Sequence, residues 1–162
     1  MDAIVAAGTL FSRLRDAARA SWEAYVAHPF VRGLADGSLP EAAFRRYLTQ
    51  DYLFLIHFAR AYALAAFKHA TVADIRGAAA TLNALIDHEM RLHVEYCAGW
   101  GIDERAMEAE AEAEETMAYT RYVLERGLAG DVLDLEVALA PCVIGYAEIG
   151  ARMAADPALR RE

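Results

Sequence analysis

At 162 residues, with 57% of them hydrophobic, the chain is long enough for one domain with a real core. Its formal net charge of −8, with no basic stripe, disfavours nucleic-acid backbones and anionic membrane surfaces as partners. No stretch is apolar for long enough to span a bilayer, and the opening MDAIVAAGTLFSRLR lacks the cationic start and long apolar core of a secretory signal.

Abundant alanine against only 10 Gly and 4 Pro favours helix throughout, and no strand-like alternation, repeat or low-complexity linker interrupts it. The first helix is expected from Thr9 to Ala27, with Leu10, Leu14, Ala18, Trp22, Tyr25 and Val26 as its buried stripe. It should stop before His28-Pro29, because a residue preceding proline avoids the helical region. A short link containing Gly33 and Gly37 is expected next. Ser38 and Glu41 then stand three apart, as in a capping box, with Pro40 tolerable in the first turn.

The second helix should cover Glu41–Lys68, long enough to suggest a bend or break. Phe44, Tyr47, Asp51, Phe54, Leu55, Phe58 and Tyr62 recur along it at helical spacing. Asp51 is the odd member of that aromatic stripe. An unpaired buried carboxylate is costly, so it should hold a hydrogen bond, either to a neighbouring backbone or tyrosine or to a ligand.

The third helix is expected over Val72–Gly99, from a Thr71 cap. Inside it, His88, Glu89 and His93 offer an i, i+4 pair that a metal could use. The di-iron pattern, however, needs two Glu-x-x-His copies and further glutamates, which the chain lacks. A helix-spanning polar pair is the preferred reading, with no metal and no cofactor. The fourth helix should run from an Asp103 cap to Arg126, end at Gly127, and present the acidic run ERAMEAEAEAEE as a solvated face. Tyr119, Tyr122 and Val123 would face inward.

The last helix starts after Asp131 and Asp134 and runs out near Asp156-Pro157. It carries ALAPCVIGYAEIG, in which Cys142 and Tyr146 are i, i+4 neighbours in line with Leu135, Leu139 and Ile149, so that face should point inward. Pro141 must either kink a helix or stand in the first turn of a new one. In the second case Cys142 would lie among free N–H groups, where the dipole favours a thiolate. The plainer alternative is a packed core thiol. Cys97 and Cys142 lie far apart without metal spacing, and a cytoplasmic protein with reduced thiols is expected. Short connections make successive helices antiparallel neighbours, so the fold class is all-α, in one domain over residues 1–162.

Taken together, Trp22, HPFV (His28–Val31), LADGSLP, F-x-x-Y-x-x-QDY (Phe44–Tyr52), HFAR (His57–Arg60), E-x-x-x-H and LAPCVIGYAEIG resemble the TenA family, in that family's order from about residue 10 to 155. These are thiaminase II, or aminopyrimidine aminohydrolase, proteins with a heme-oxygenase-like helical bundle. The resemblance implies that Cys142 is the nucleophile, that Asp51 hydrogen-bonds an aminopyrimidine, and that Tyr119 packs against its ring. It places Tyr146 near the cysteine and Phe54 where many members carry tyrosine. It further implies hydrolysis of 4-amino-5-aminomethyl-2-methylpyrimidine, and of thiamin, to the hydroxymethylpyrimidine in thiamin salvage, by a homotetramer.

The same resemblance assigns a further tyrosine and a proton-handling glutamate to later helices than this sequence contains. The chain as it stands is therefore expected to lack the family's C-terminal helices, as a piece of a longer chain or as a shortened relative. Neither Glu148 nor Glu89 is assigned that glutamate's role. The alternatives are a protein that binds an aminopyrimidine without hydrolysing it and a heme- or metal-binding bundle using His88, Glu89 and His93.

Overall fold

The structure, a computed structural model, describes residues 6–156. Residues 1–5 of the opening segment and Pro157, expected to mark the end of the last helix, lie outside the described residues. Every regular element among the described residues is helical. Contacts divide the chain into two compact units, Met1–Pro40 with Leu139–Glu162 and Glu41–Ala138.

In the first unit, the single helix expected over residues 9–27 is two. α1 (Leu10–Ala17) starts at Thr9, whose side chain accepts from the Ser12 N–H, and α2 (Arg19–Val26) follows a break at Ala18 (φ −104, ψ 22). One residue off the helical dihedrals re-aims everything before it. Trp22 and Val26 are buried as expected, but Leu10 and Leu14 are exposed and Ser12 takes the buried place. The expected link is a helix too, α3 (Pro29–Asp36). Pro29 stands in its first turn, and Gly37 at φ 76 closes it in the left-handed conformation that glycine adopts without penalty.

The second unit is organised around α4 (Glu41–Lys68), which runs unbroken for 28 residues. α5 (Val72–Ala84) begins at Thr71, whose hydroxyl accepts from the Asp74 N–H as expected. α5 passes through a π turn (Leu85–Glu89) into α6 (Met90–Ala98). Ala78 and Leu85 are buried seven residues apart, whereas Leu85 and His93 are buried eight apart. Eight residues of regular α-helix miss a whole number of turns by ~80°. The wider π turn absorbs the extra residue, so one inward face continues into α6.

The acidic stretch is not one solvated helix. α7 (Glu104–Glu108), capped by the Asp103 carboxylate on the Ala106 N–H, is separated from α8 (Glu114–Ala129). Glu112, in the segment between them, bonds His57 at 2.9 Å and Arg121 at 2.9 Å. Gly127 does not end α8. It is buried within the helix, where a Cβ would come within 2.8 Å of Leu64 and Leu135 methyls. Tyr122 is exposed rather than inward, under the Arg126 guanidinium 5.8 Å from its ring centre.

α9 (Val132–Ala155) spans the boundary between the units, with Asp131 accepting at its start from the Leu133 and Asp134 N–H groups. Its later half belongs to the first unit. There the buried Glu148 accepts from Trp22 Nε1 at 2.9 Å and from Arg152, which also holds Glu23 at 3.0 Å.

Candidate functional site

Three consecutive side chains of α4 tie down three other segments. Residues one apart on a helix point about 100° away from each other, so neighbours in sequence reach different partners. Gln50 donates from Nε2 to the Ala111 carbonyl at 2.9 Å, while its Oε1 accepts from the Ala113 N–H and the Thr116 hydroxyl. Tyr52, almost fully buried, donates to Glu104 of α7 at 3.0 Å, and its burial raises the phenol pKa well above the ordinary value.

Asp51, between them, faces α6. Its Oδ2 accepts from Tyr47 at 3.3 Å and lies 2.9 Å from His93 Nε2. The tyrosine was within reach of the sequence reading, one turn back on the same helix. The histidine was not, because 42 residues separate it from Asp51.

His93 is buried, with Nδ1 2.8 Å from the Glu89 carbonyl. Burial acts to lower its pKa, but the hydrogen bond to Asp51, the Glu89 carbonyl and the two nearby carboxylates outweigh that, and the net shift is upward. The Glu89 carboxyl is also held above its usual range, by desolvation and by the Asp51 charge, with His93 opposing. Among the described residues, no three His, Cys, Asp or Glu side chains are grouped to hold a metal ion. The i, i+4 spacing of Glu89 and His93 serves the Glu89 backbone carbonyl and the Asp51 carboxylate.

Phe54 follows Asp51 by three residues on α4. Its ring stacks on Tyr119 of α8 with centres 5.9 Å apart and planes 9° from parallel, and Phe58 extends the group at 5.0 Å from Phe54. Tyr119 also donates from Oη to the Ala138 carbonyl at 3.0 Å. Pro141, lacking an N–H, leaves the neighbouring Val137 carbonyl without its regular ladder bond. The tyrosine hydroxyl ties α8 to α9 one residue further on.

Cys142 sits directly after Pro141, well inside α9 and half-buried. Of the two cases the proline allowed, the mid-helix one is realised, so Cys142 is not at a helix N-terminus and the terminal dipole does not act on it. Tyr146, one turn on, is exposed rather than inward, while Leu135 and Leu139 of the expected face are buried. The helix carrying them packs close to α2: a Cβ on Gly145 would come within 2.4 Å of the Tyr25 ring. Cys97, the other thiol, is fully buried in the apolar cluster of Leu48, Tyr52 and Met107, and burial pushes its pKa up.

The profile of the TENA/THI-4/PQQC family matches residues 15–159. An uncharacterized protein of Haemophilus influenzae is 41% identical over 86% of this chain and 65% of its own length. The aminopyrimidine aminohydrolase of Halalkalibacterium halodurans is 39% identical over 89% of this chain and 64% of its own. A solved TenA family transcription regulator from Silicibacter sp. TM1040 superposes with a TM-score of 0.88 at 52% identity, over 91% of this chain and 66% of that one. The chain therefore spans about two thirds of the length of the proteins it matches.

Proposed function

The chain belongs to the TENA/THI-4/PQQC family, and from that premise we propose that it acts in thiamin salvage as an aminopyrimidine aminohydrolase. The observation that carries this reading is the parallel Phe54–Tyr119 ring pair one helical turn from the Asp51 carboxylate. An aminopyrimidine is a flat, weakly basic ring with donors and acceptors along one edge. Aromatic area supplies affinity for such a ring, and a single carboxylate aimed at the edge fixes its orientation. In this reading Asp51 accepts from the 4-amino edge, Phe54 and Tyr119 pack on the ring, and Tyr146 is the tyrosine near Cys142.

Cys142 is the proposed nucleophile. Its thiolate forms a C–S bond to a carbon of the pyrimidine, and the displaced ring electrons break the bond from the 5-methylene to the amino group, which takes up one proton and leaves as ammonia. Water then adds its oxygen to the methylene carbon and gives up a proton. The C–S electrons return to sulfur as aromaticity is restored. The balance is aminomethylpyrimidine plus water to hydroxymethylpyrimidine plus ammonia. With thiamin, the thiazole would leave in place of ammonia.

Ammonia release from 4-amino-5-aminomethyl-2-methylpyrimidine tests the reading. The parent should release it, and Cys142→Ala should fall to background. A parent that binds the pyrimidine without releasing ammonia would be a binding protein and not a hydrolase. Equal release by parent and variant would remove Cys142 from the mechanism.

A further inference from the structure

We propose that His93 is a positioning residue for Asp51, holding the carboxylate in one orientation so that its second oxygen is left for the ligand. The proposal rests on the reading of Asp51 as the acceptor for the aminopyrimidine edge. Both ring nitrogens of His93 meet acceptors, the Asp51 carboxylate at 2.9 Å and the Glu89 carbonyl at 2.8 Å. A neutral imidazole has only one N–H, so two acceptors favour the doubly protonated ring. The titratable groups around it are Asp51 and Tyr47 on α4 and Glu89 in the π turn.

The arrangement is specific about which oxygen it uses. Tyr47 and His93 both bond Oδ2, and Oδ1 of Asp51 has no protein partner among the described residues. A carboxylate clamped at one oxygen by two donors is held in one orientation. The π turn makes this possible. It supplies the carbonyl that fixes Nδ1, and it adds the residue that brings His93 onto the inward face shared with Leu85. A polar chain of backbone carbonyl, imidazole and carboxylate is the arrangement by which a second group orients the one that touches ligand.

The test pairs binding with a direct look at the ring. In the parent, nitrogen-15 NMR of labelled histidine should show His93 doubly protonated at neutral pH. Titration of 4-amino-5-hydroxymethyl-2-methylpyrimidine by calorimetry should show His93→Ala binding weakened by roughly tenfold or more. His93→Gln, which keeps a donor toward Asp51, should recover part of the affinity. In ammonia release, KM should change more than kcat.

A ring found neutral in a parent that binds pyrimidine overturns the role of His93 alone, as does a His93→Ala variant with parental affinity. Binding weakened equally in His93→Ala and His93→Gln makes His93 a packing residue and overturns the proposal. A parent that binds no pyrimidine while its His93 titrates as an imidazolium overturns the reading of Asp51, and the proposal with it.

Discussion

Gln50 illustrates how much one polar side chain can carry. It closes the segment between α7 and α8 with three hydrogen bonds, to Ala111, Ala113 and Thr116. Gln50→Ala leaves those groups to find water, and should cost about 1–3 kcal/mol in urea denaturation. The two thiols make an equally sharp contrast. Cys97 is fully buried and Cys142 half-buried. A thiol reagent should therefore label Cys142 in the native protein and Cys97 only on unfolding, a difference that mass spectrometry of the labelled peptides will read. Asp51 was legible in the sequence as a carboxylate in need of a partner, and Tyr47 as a donor one turn away. His93 was not, since helical spacing links neighbours along one helix and says nothing of a side chain 42 residues off.

At the scale of elements, the C-terminal end of α3 and the packing of α9 are where single glycines matter. Gly37 closes α3 at φ 76, where a Cβ is strained, so Gly37→Ala should lower stability by about 1 kcal/mol. Gly145 lets α9 approach Tyr25, and a methyl there would meet the ring at 2.4 Å. Overpacking of this kind costs about 1–3 kcal/mol, and Gly145→Ala should show it as a lowered thermal midpoint. The caps at Thr71 and Asp103 and the full span of α4 could be read from sequence, because a cap is a local bond between side chain and backbone. The signals for α3 were also present, a proline to start and a glycine to stop, but a short stretch holding Gly33 and ending at Gly37 reads as a link. The break at Ala18 has no such signal, and the π turn shows only as a change from seven to eight in the spacing of buried residues.

For the whole molecule, two histidines set opposing pH dependences. His93 has its pKa raised above the ordinary 6.5, despite a desolvation that acts the other way, so its stabilising contribution is full below that value and is lost as pH rises through the folded one. His57 has its pKa lowered, first by desolvation and then by Arg121, so its contribution is present above 6.5 and is lost as pH falls through the folded value. The stability gap between parent and His93→Gln should therefore shrink from acid to alkaline pH. The gap between parent and His57→Gln should grow over the same range. Urea titrations at about pH 5.5 and 8, on either side of the free imidazole value, will separate the two.

Residue order is enough to read this protein as all-α, to place its longest helix over Glu41–Lys68, and to recognise the motifs that mark its family. Those features follow from periodicity, capping and residue identity, all of which act within a few positions of the chain. Long-range packing is what pairs Asp51 with His93, lays Phe54 parallel to Tyr119, sets Gln50 on the segment before α8, and leaves Cys142 in mid-helix. Each of these depends on which distant faces meet and in what register. A single extra residue in the π turn re-aims a helix face, and no local preference records that choice.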